Sequence, residues 1–185
     1  MKKILMLLPI MASLMFGASD YSKRLTRELN NLKSSQKTVL MHNLRTTMKQ
    51  TGDRELALIM ASIAWKESCF GANRNESKYC NNCSYGTHQV LLLNAMKKLK
   101  LKNTDANRKA VRHRLLTDED LSYRLAMMEL KGWLKVHKGN MPKAIASYNA
   151  GYKSTSSNAG NKYQKDVFYR KQFLEKYVRD NKISL

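Results

Sequence analysis

Apolar residues recur at spacings of three and four along residues 25–48, which is the period of one face of a helix. The members of this stripe are Leu25, Leu29, Leu32, Leu40, Leu44 and Met48. The segment Thr51-Gly52-Asp53 then breaks the period and can cap the segment that follows. Residues 55–65 are apolar at nearly every position, which is typical of a helix buried on all sides. The pattern therefore predicts a helical N-terminal region leading into a buried central helix.

Residues 69–88 carry no helical period and are rich in Asn, Ser, Gly and Cys, so we expect a loop with a short hairpin. Helical patterning resumes near Gln89, and Thr117 with Asp120 resembles the capping box of a further helix. Pro142 and Gly151 then mark the start and the C-cap of a short helix, and a last helix runs from about Tyr163. No linker divides this part of the chain. The sequence predicts one mainly α domain over residues 51–185, with a helical extension over residues 19–50 packed on it.

The N-terminus has the layout of a secretory signal peptide over residues 1–18. Two lysines precede an apolar run at residues 4–16, and Gly17-Ala18-Ser19 supplies small residues for cleavage. The run is shorter than the roughly 20 residues of a spanning helix, although a retained anchor or a buried helix stays open. We therefore expect an exported protein of the periplasm or cell envelope that contacts the membrane only through this signal.

The net charge of the chain indicates which kinds of partner it attracts. The chain has 34 Lys+Arg against 14 Asp+Glu, a formal charge of +20, while 43% of its residues are hydrophobic, as in a globular protein. Such a charge attracts nucleic acid, anionic lipid or an acidic wall polymer. Export favours the wall polymer and argues against nucleic acid. The densest basic stretch, residues 97–114, is either a solvated surface or a wall-binding patch.

Glu67 is the first candidate for chemistry, because it lies at the end of the buried apolar helix. Partial desolvation there would raise the pKa of the carboxyl, which is what a general acid needs at neutral pH. The alternative is a surface glutamate paired with Lys66 or a neighbouring arginine.

The motifs around Glu67 resemble those of the soluble lytic transglycosylases. The segments that carry the resemblance are Lys66-Glu67-Ser68-Cys69-Phe70, Ser84-Tyr85-Gly86-Thr87-His88-Gln89 and Ala144-Ile145-Ala146-Ser147-Tyr148-Asn149-Ala150-Gly151. A weaker third motif, residues 125–134 with Glu129, falls where that family places a helix behind the active site. Tyr163 and Val167 fit its closing helix. The resemblance spans roughly residues 55–170 and implies a lysozyme-like helical domain with a short loop or β-hairpin region after the catalytic helix.

The resemblance also implies roles for single residues. Glu67 would be the catalytic acid and base at the bond between N-acetylmuramic acid and N-acetylglucosamine, and the hydroxyl of Tyr148 would set and stabilise it. Gln89 and Asn149 would hydrogen-bond the sugar or its acetamido groups, and Ser68 would support the substrate site. Tyr85, which departs from the family's second motif, is also expected to contact substrate. Tyr148, Gln89 and Asn149 also have purely structural interpretations, as a core aromatic residue and two helix-end amides. His88, unusual for the family's second motif, is expected to line the groove or face solvent rather than to catalyse.

Three cysteines, Cys69, Cys80 and Cys83, lie close to these motifs. In an exported protein the simplest arrangement is a disulfide between Cys69 and one of the other two. Free thiols and a structural zinc site completed by His88 stay open. No metal or cofactor is expected for the reaction.

The reaction outcome is predicted from the scarcity of carboxylates. Between Ser68 and Thr104 the only acidic residue is Glu76, which is expected to form a surface ion pair. A single carboxyl can protonate the bridging oxygen and then deprotonate the sugar's own C6 hydroxyl, so we expect 1,6-anhydro ends. The alternatives are a goose-type lysozyme and a basic envelope-binding or nucleic-acid-binding module. We expect a monomer acting on glycan strands in wall remodelling, in inserting a secretion apparatus as its partner, or in phage lysis.

Overall fold

The computed structural model describes residues 8–77, 80, 82–155 and 158–185, and the chain divides into two compact units at Lys33. The first unit contains helix α1, Leu8–Asn30. The predicted signal peptide begins in residues 1–7, which lie outside the described residues. Across the described part of the chain, no helix combines the length and the apolarity needed to cross a membrane.

The second unit is mainly α-helical with a small antiparallel sheet, which confirms the predicted fold class at this level. Its elements are α2 (Ser34–Thr51), α3 (Arg54–Ser68), β1 (Ser84–Tyr85), β2 (Val90–Leu91), α4 (Leu92–Lys98), α5 (Asp105–Thr117), α6 (Glu119–Val136), α7 (Met141–Ala150), a 3-10 turn (Gly151–Thr155) and α8 (Asn158–Asp180). Helix α2, which the sequence placed in the N-terminal extension, belongs to this unit and packs on α3.

Helix α3 is the central helix that the sequence predicts. The Asp53 carboxylate caps its start by accepting a hydrogen bond from the backbone N–H of Leu56, 2.9 Å away. Residues 56–65 are all buried, and the helix packs against both α2 and α8. It ends at Cys69, whose left-handed backbone (φ 52°) turns the chain away. This turn leaves Glu67 on the last helical turn, at the edge of the core.

The predicted hairpin is present as β1 and β2. Ser84 pairs with Leu91 and Tyr85 with Val90 across a four-residue turn. Gly86 opens this turn with φ +80°, and a Cβ at this position would lie 2.2 Å from the carbonyl oxygen of Leu115. Only glycine fits there, because both the backbone angle and the close approach of α5 exclude a side chain.

Two helices begin at other residues than the pattern predicts. Helix α4 begins at Leu92 rather than near Gln89, because the two apolar residues before it pair as β2. Helix α8 begins at Asn158, ahead of Tyr163. Its first turn, Asn158-Ala159-Gly160-Asn161, has no large apolar residue, so hydrophobic periodicity does not report it.

The start of α6 also differs from the predicted capping box. Thr117 is the last residue of α5, and Asp118 caps α6 by accepting a hydrogen bond from the N–H of Leu121 at 2.9 Å. Helix α5 itself was not predicted. Its buried residues are Val111 and Leu115 alone, so its apolar stripe is too thin to stand out among the basic residues.

The disulfide joins Cys80 to Cys83, whose Cα atoms are 5.3 Å apart. The prediction of a bridge to Cys69 is therefore wrong. Cys69 is at the end of α3, where its backbone oxygen and its sulfur both accept hydrogen bonds from the Gln36 amide of α2, at 2.9 and 3.5 Å. Cys69 is therefore bound to α2 and takes no part in the Cys80–Cys83 disulfide of the loop.

Candidate active site

Glu67 lies half-buried on the last turn of α3, where the hydroxyl of Tyr163 on α8 donates a hydrogen bond to its Oε1 at 2.5 Å. Burial raises the pKa of the Glu67 carboxyl, while the Tyr163 hydrogen bond and the positive charge of Lys66 oppose that rise. Lys66 is itself paired with Asp166 of α8. The carboxyl is therefore fixed through one oxygen and biased toward its protonated form.

Tyr148 does not contact Glu67 in the predicted way. Its hydroxyl donates to the carbonyl oxygen of His88 at 2.9 Å, so the tyrosine that holds the carboxyl is Tyr163. Burial and the negative charge of Glu67 both raise the pKa values of Tyr148 and Tyr163 well above the usual range of tyrosine. Both phenols therefore stay neutral at physiological pH, as hydrogen-bond donors near the carboxyl.

Sequence reasoning placed Tyr163 only in the closing helix. Ninety-six residues separate Tyr163 from Glu67, and nothing in the local pattern reports which side of α8 faces α3. The available signal was the period of α8, in which Tyr163, Val167 and Leu174 are buried on one face.

A groove of about 260 Å³ brings together three of the predicted residues, Gln89, Tyr148 and Asn149. The Gln89 amide donates to the Gly86 carbonyl oxygen at 2.9 Å, and its backbone has a left-handed φ of 47°. Asn149 is exposed. The remaining residues of the groove wall are Ser84, Val90, Leu91, Asn94, Glu129, Trp133, Ser147 and Gly151.

Tyr85 and Ser68, both predicted to bind substrate, are buried instead. Tyr85 is 0% exposed, and its hydroxyl oxygen accepts a hydrogen bond from the N–H of Cys80 at 3.0 Å. The Ser68 hydroxyl donates to the carbonyl oxygen of Thr87 at 2.7 Å and accepts from the N–H of Gly71 at 2.7 Å. Both side chains stabilise the loop after α3 through these hydrogen bonds. The prediction that they contact the sugar directly is therefore wrong.

His88 is fully buried, which overturns the expectation that it lines the groove or faces solvent. Its Nε2 lies 2.7 Å from Asn43 Oδ1 on α2, and its Nδ1 lies 3.4 Å from Ser122 Oγ on α6. Burial, with smaller effects from His42 and Arg74, lowers the pKa of His88 to about 3. The imidazole is therefore neutral. Its side-chain contacts fix the position of His88, whose backbone carbonyl oxygen accepts the hydrogen bond from the Tyr148 hydroxyl.

Glu76 lies at the surface, as the sequence predicts, whereas Glu129 differs from its predicted position. The Glu76 side chain is exposed, and it is the backbone oxygen of Glu76 that Arg112 binds. Glu129, expected behind the site, lines the groove itself. It pairs with Lys98 and accepts a hydrogen bond from the Trp133 indole at 2.9 Å. The sequence does not reveal this position, because no local pattern reports which side of α6 faces the groove.

Within the described residues, no group of three His, Cys, Asp or Glu side chains is placed to hold a metal ion. The zinc site considered from sequence needs three thiolates, and two of its cysteines form the disulfide.

Comparison with known proteins identifies a phage protein as a relative of this chain. No family model matches the chain. The chain is 34% identical over 140 residues to the "Uncharacterized 20.7 kDa protein in vs-regB intergenic region" of Enterobacteria phage T4, over 74% of this chain and 70% of that protein. The chain belongs to the family of this phage protein. The name of this relative states no activity, so the functional argument rests on the chemistry of the site.

Proposed function

We propose that this protein is an exported peptidoglycan lytic transglycosylase with a lysozyme-like fold. It cleaves the bond between N-acetylmuramic acid and N-acetylglucosamine and leaves 1,6-anhydro ends. The observation that carries this proposal is the environment of Glu67, a half-buried carboxyl with a raised pKa, fixed by Tyr163. Glu67 does not itself line the groove, but its charge acts on Tyr148, which does. The groove also holds the amides of Gln89 and Asn149, groups suited to acetamido sugars.

The reaction begins with proton donation. The Tyr163 hydroxyl bonds Oε1 of Glu67, which leaves Oε2 to carry the acidic proton. Oε2 protonates the bridging oxygen, the bond from C1 of the muramic acid breaks, and N-acetylglucosamine leaves as an alcohol. The positive charge that remains at C1 faces the Glu67 carboxylate, with groove amides holding the substrate's acetamido group.

The same carboxyl completes the reaction. As a carboxylate, Glu67 removes the proton of the C6 hydroxyl, and the C6 oxygen then bonds to C1 and closes the anhydro ring. Glu67 returns to its protonated state and no water is consumed. The sequence is balanced with one acid–base group, so it needs neither a metal nor a second carboxylate.

Glu129 favours a second candidate function, hydrolysis of the same bond by a goose-type lysozyme. It is a second carboxylate on the groove wall, and inverting glycosidases use a second carboxylate to activate water. However, Lys98 and the Trp133 indole already bind both Glu129 oxygens, which leaves this carboxylate poorly placed to accept a proton from water. We therefore favour the transglycosylase.

The biological setting we propose is wall degradation during phage infection, because the relative is a phage protein. The substrate is the glycan strand, the protein acts as a monomer, and its charge of +20 serves adsorption to the acidic envelope rather than binding of nucleic acid.

The test is clearing of purified cell walls by the wild type and by Glu67→Gln. The amide matches the shape of the carboxyl but cannot donate and retrieve a proton, so we expect a loss of about 100–10,000-fold with an unchanged circular dichroism spectrum. Glu76→Gln is the matched control, since its carboxyl is exposed, and it should clear at the wild-type rate. If the wild type and Glu67→Gln clear the walls equally, or if neither clears them, the proposed enzymatic function is rejected.

A further inference from the structure

Tyr152 is an exposed aromatic residue beside the groove. Its side chain is 81% exposed, whereas the other large exposed hydrophobic residues of the described chain lie between 41% and 50%. Burial in the core therefore does not explain its position. The ring follows Gly151, which also lines the groove, and its centroid is 4.8 Å from that of Trp133 at an interplanar angle of 75°.

Trp133 is held in a fixed orientation. Its indole N–H donates to Glu129 Oε1 at 2.9 Å, and Lys98 pairs with the other oxygen of Glu129. The indole also stacks on His137 with centroids 6.2 Å apart. A ring fixed by a hydrogen bond and a stacking partner loses little entropy when a ligand packs on it.

A second cavity of about 410 Å³ lies at these two rings and continues the groove. It shares Asn94, Glu129 and Trp133 with the groove, while Lys97, Lys98 and Tyr152 line this cavity alone. A chain-like ligand that fills the groove can therefore continue over the two aromatic rings.

We propose that Trp133 and Tyr152 form an additional saccharide subsite, in which a pyranose ring of the glycan strand packs on the exposed ring of Tyr152. This inference rests on the proposed function. A pyranose presents a face of C–H groups that gains from packing on an aromatic ring, while its hydroxyls stay hydrated. The polar groups here, the Asn94 amide and the Lys97 ammonium, suit sugar oxygens and an acidic substituent of the sugar.

The test is binding of a soluble hexasaccharide of N-acetylglucosamine, measured by calorimetry in the Glu67→Gln background so that no turnover occurs. We expect Tyr152→Ala to weaken binding about 3–10-fold and Tyr152→Phe to bind within about twofold of its parent, because the ring alone makes the contact. Met128→Ala is the matched control. Met128 is 50% exposed on α6 and lines neither cavity, so its removal should leave binding unchanged.

Tryptophan fluorescence locates the ligand. Trp65 is 1% exposed, so quenching by the hexasaccharide should come from Trp133 and should disappear in Trp133→Phe. Unchanged affinity in Tyr152→Ala, equal weakening by Ala and Phe, or no hexasaccharide binding by the parent would each overturn the subsite. Wall clearing that depends on Glu67 would in those cases still support the enzyme. Conversely, hexasaccharide binding that needs Tyr152, without wall clearing, would keep the subsite and reject the activity.

Discussion

Two opposing effects act on the pKa of Glu67. Burial favours its neutral form, whereas the Tyr163 hydroxyl and the Lys66 charge favour the carboxylate. A group that acts first as an acid and then as a base needs both forms within one turnover. The position at the end of α3 provides this balance, because the carboxyl is half-buried rather than enclosed.

Tyr163→Phe should move the pH dependence of the reaction. The lost hydrogen bond favours the Glu67 carboxylate, so the pKa of Glu67 should rise further. Because the first step of the proposed reaction needs protonated Glu67, the alkaline limb of the rate profile should shift to higher pH. The rate itself should fall about 10–100-fold, as expected for losing a hydrogen bond to a charged group.

The measurement is the initial rate on a soluble muropeptide as a function of pH. Tyr148→Phe is the control, since its hydroxyl bonds the His88 carbonyl oxygen and not the carboxyl, and its alkaline limb should stay in place. A shift of the limb to lower pH in Tyr163→Phe, or the same shift in both variants, would contradict the assignment.

Glu67→Gln should stabilise the protein at neutral pH. Because the pKa of Glu67 is raised in the folded state, the folded protein binds the proton more tightly than the unfolded chain does. The contribution of Glu67 to stability is therefore fully present below its unfolded pKa and is lost as pH rises through the folded pKa. Gln has no such loss, so the melting temperature should increase by about 2–4 °C for each 1 kcal/mol relieved.

Thermal melts at neutral and acidic pH test this linkage. The difference between the variant and the wild type should shrink as the pH falls below about 4, where Glu67 is protonated in both states. A variant that is less stable at neutral pH, or a difference that grows in acid, would rule out the raised pKa.

The turn between β1 and β2 connects the helices around the site. The Thr87 carbonyl oxygen accepts from Ser68 on α3, the Thr87 hydroxyl donates to Glu119 of α6 at 2.6 Å, and the His88 carbonyl oxygen accepts from Tyr148 of α7. Four residues thus position the groove wall relative to the helix that carries Glu67.

Gly86→Ala should destabilise the fold by more than about 2 kcal/mol, because it combines a left-handed backbone with a Cβ at 2.2 Å from Leu115 O. Urea unfolding measures the change in free energy. Gly52→Ala is the matched control, since Gly52 has φ +66° but no atom within 4 Å of its added Cβ, and it should cost about 1 kcal/mol. Equal losses in the two variants would show that the contact with α5 is unimportant.

The elements that were predicted are those with strong local signals. The apolar run of α3, its Asp53 cap and the Gly151 C-cap of α7 are each set by neighbouring residues, and each is found. The contact of Tyr163 with Glu67 and the groove position of Glu129 depend on how distant helices pack, which no local pattern reports. The disulfide was missed for the same reason, because contacts with α2 hold Cys69.

In the proposed function, the charge of the whole chain serves adsorption rather than chemistry. A formal charge of +20 creates a field that attracts an acidic polymer, and this attraction weakens as salt shortens the Debye length. The proposed bond-breaking step would depend instead on half-buried groups around Glu67, which salt screens less.

Activity on whole walls should therefore fall steeply above about 0.15 M salt, where the Debye length drops below ~8 Å. Activity on a short soluble muropeptide should fall much less under the same conditions. Parallel titrations of both substrates provide the comparison. If salt inhibited both substrates equally, the basic surface would have no part in adsorption.

The central claim is that one carboxyl, Glu67, cleaves the glycosidic bond without water. Mass spectrometry of sacculi digested by the wild-type protein tests it most directly, because a hydrolysed muramic acid end is heavier than an anhydro end by one water. We predict that 1,6-anhydro-N-acetylmuramyl ends dominate and that Glu67→Gln produces none. A digest dominated by reducing muramic acid ends would contradict the account.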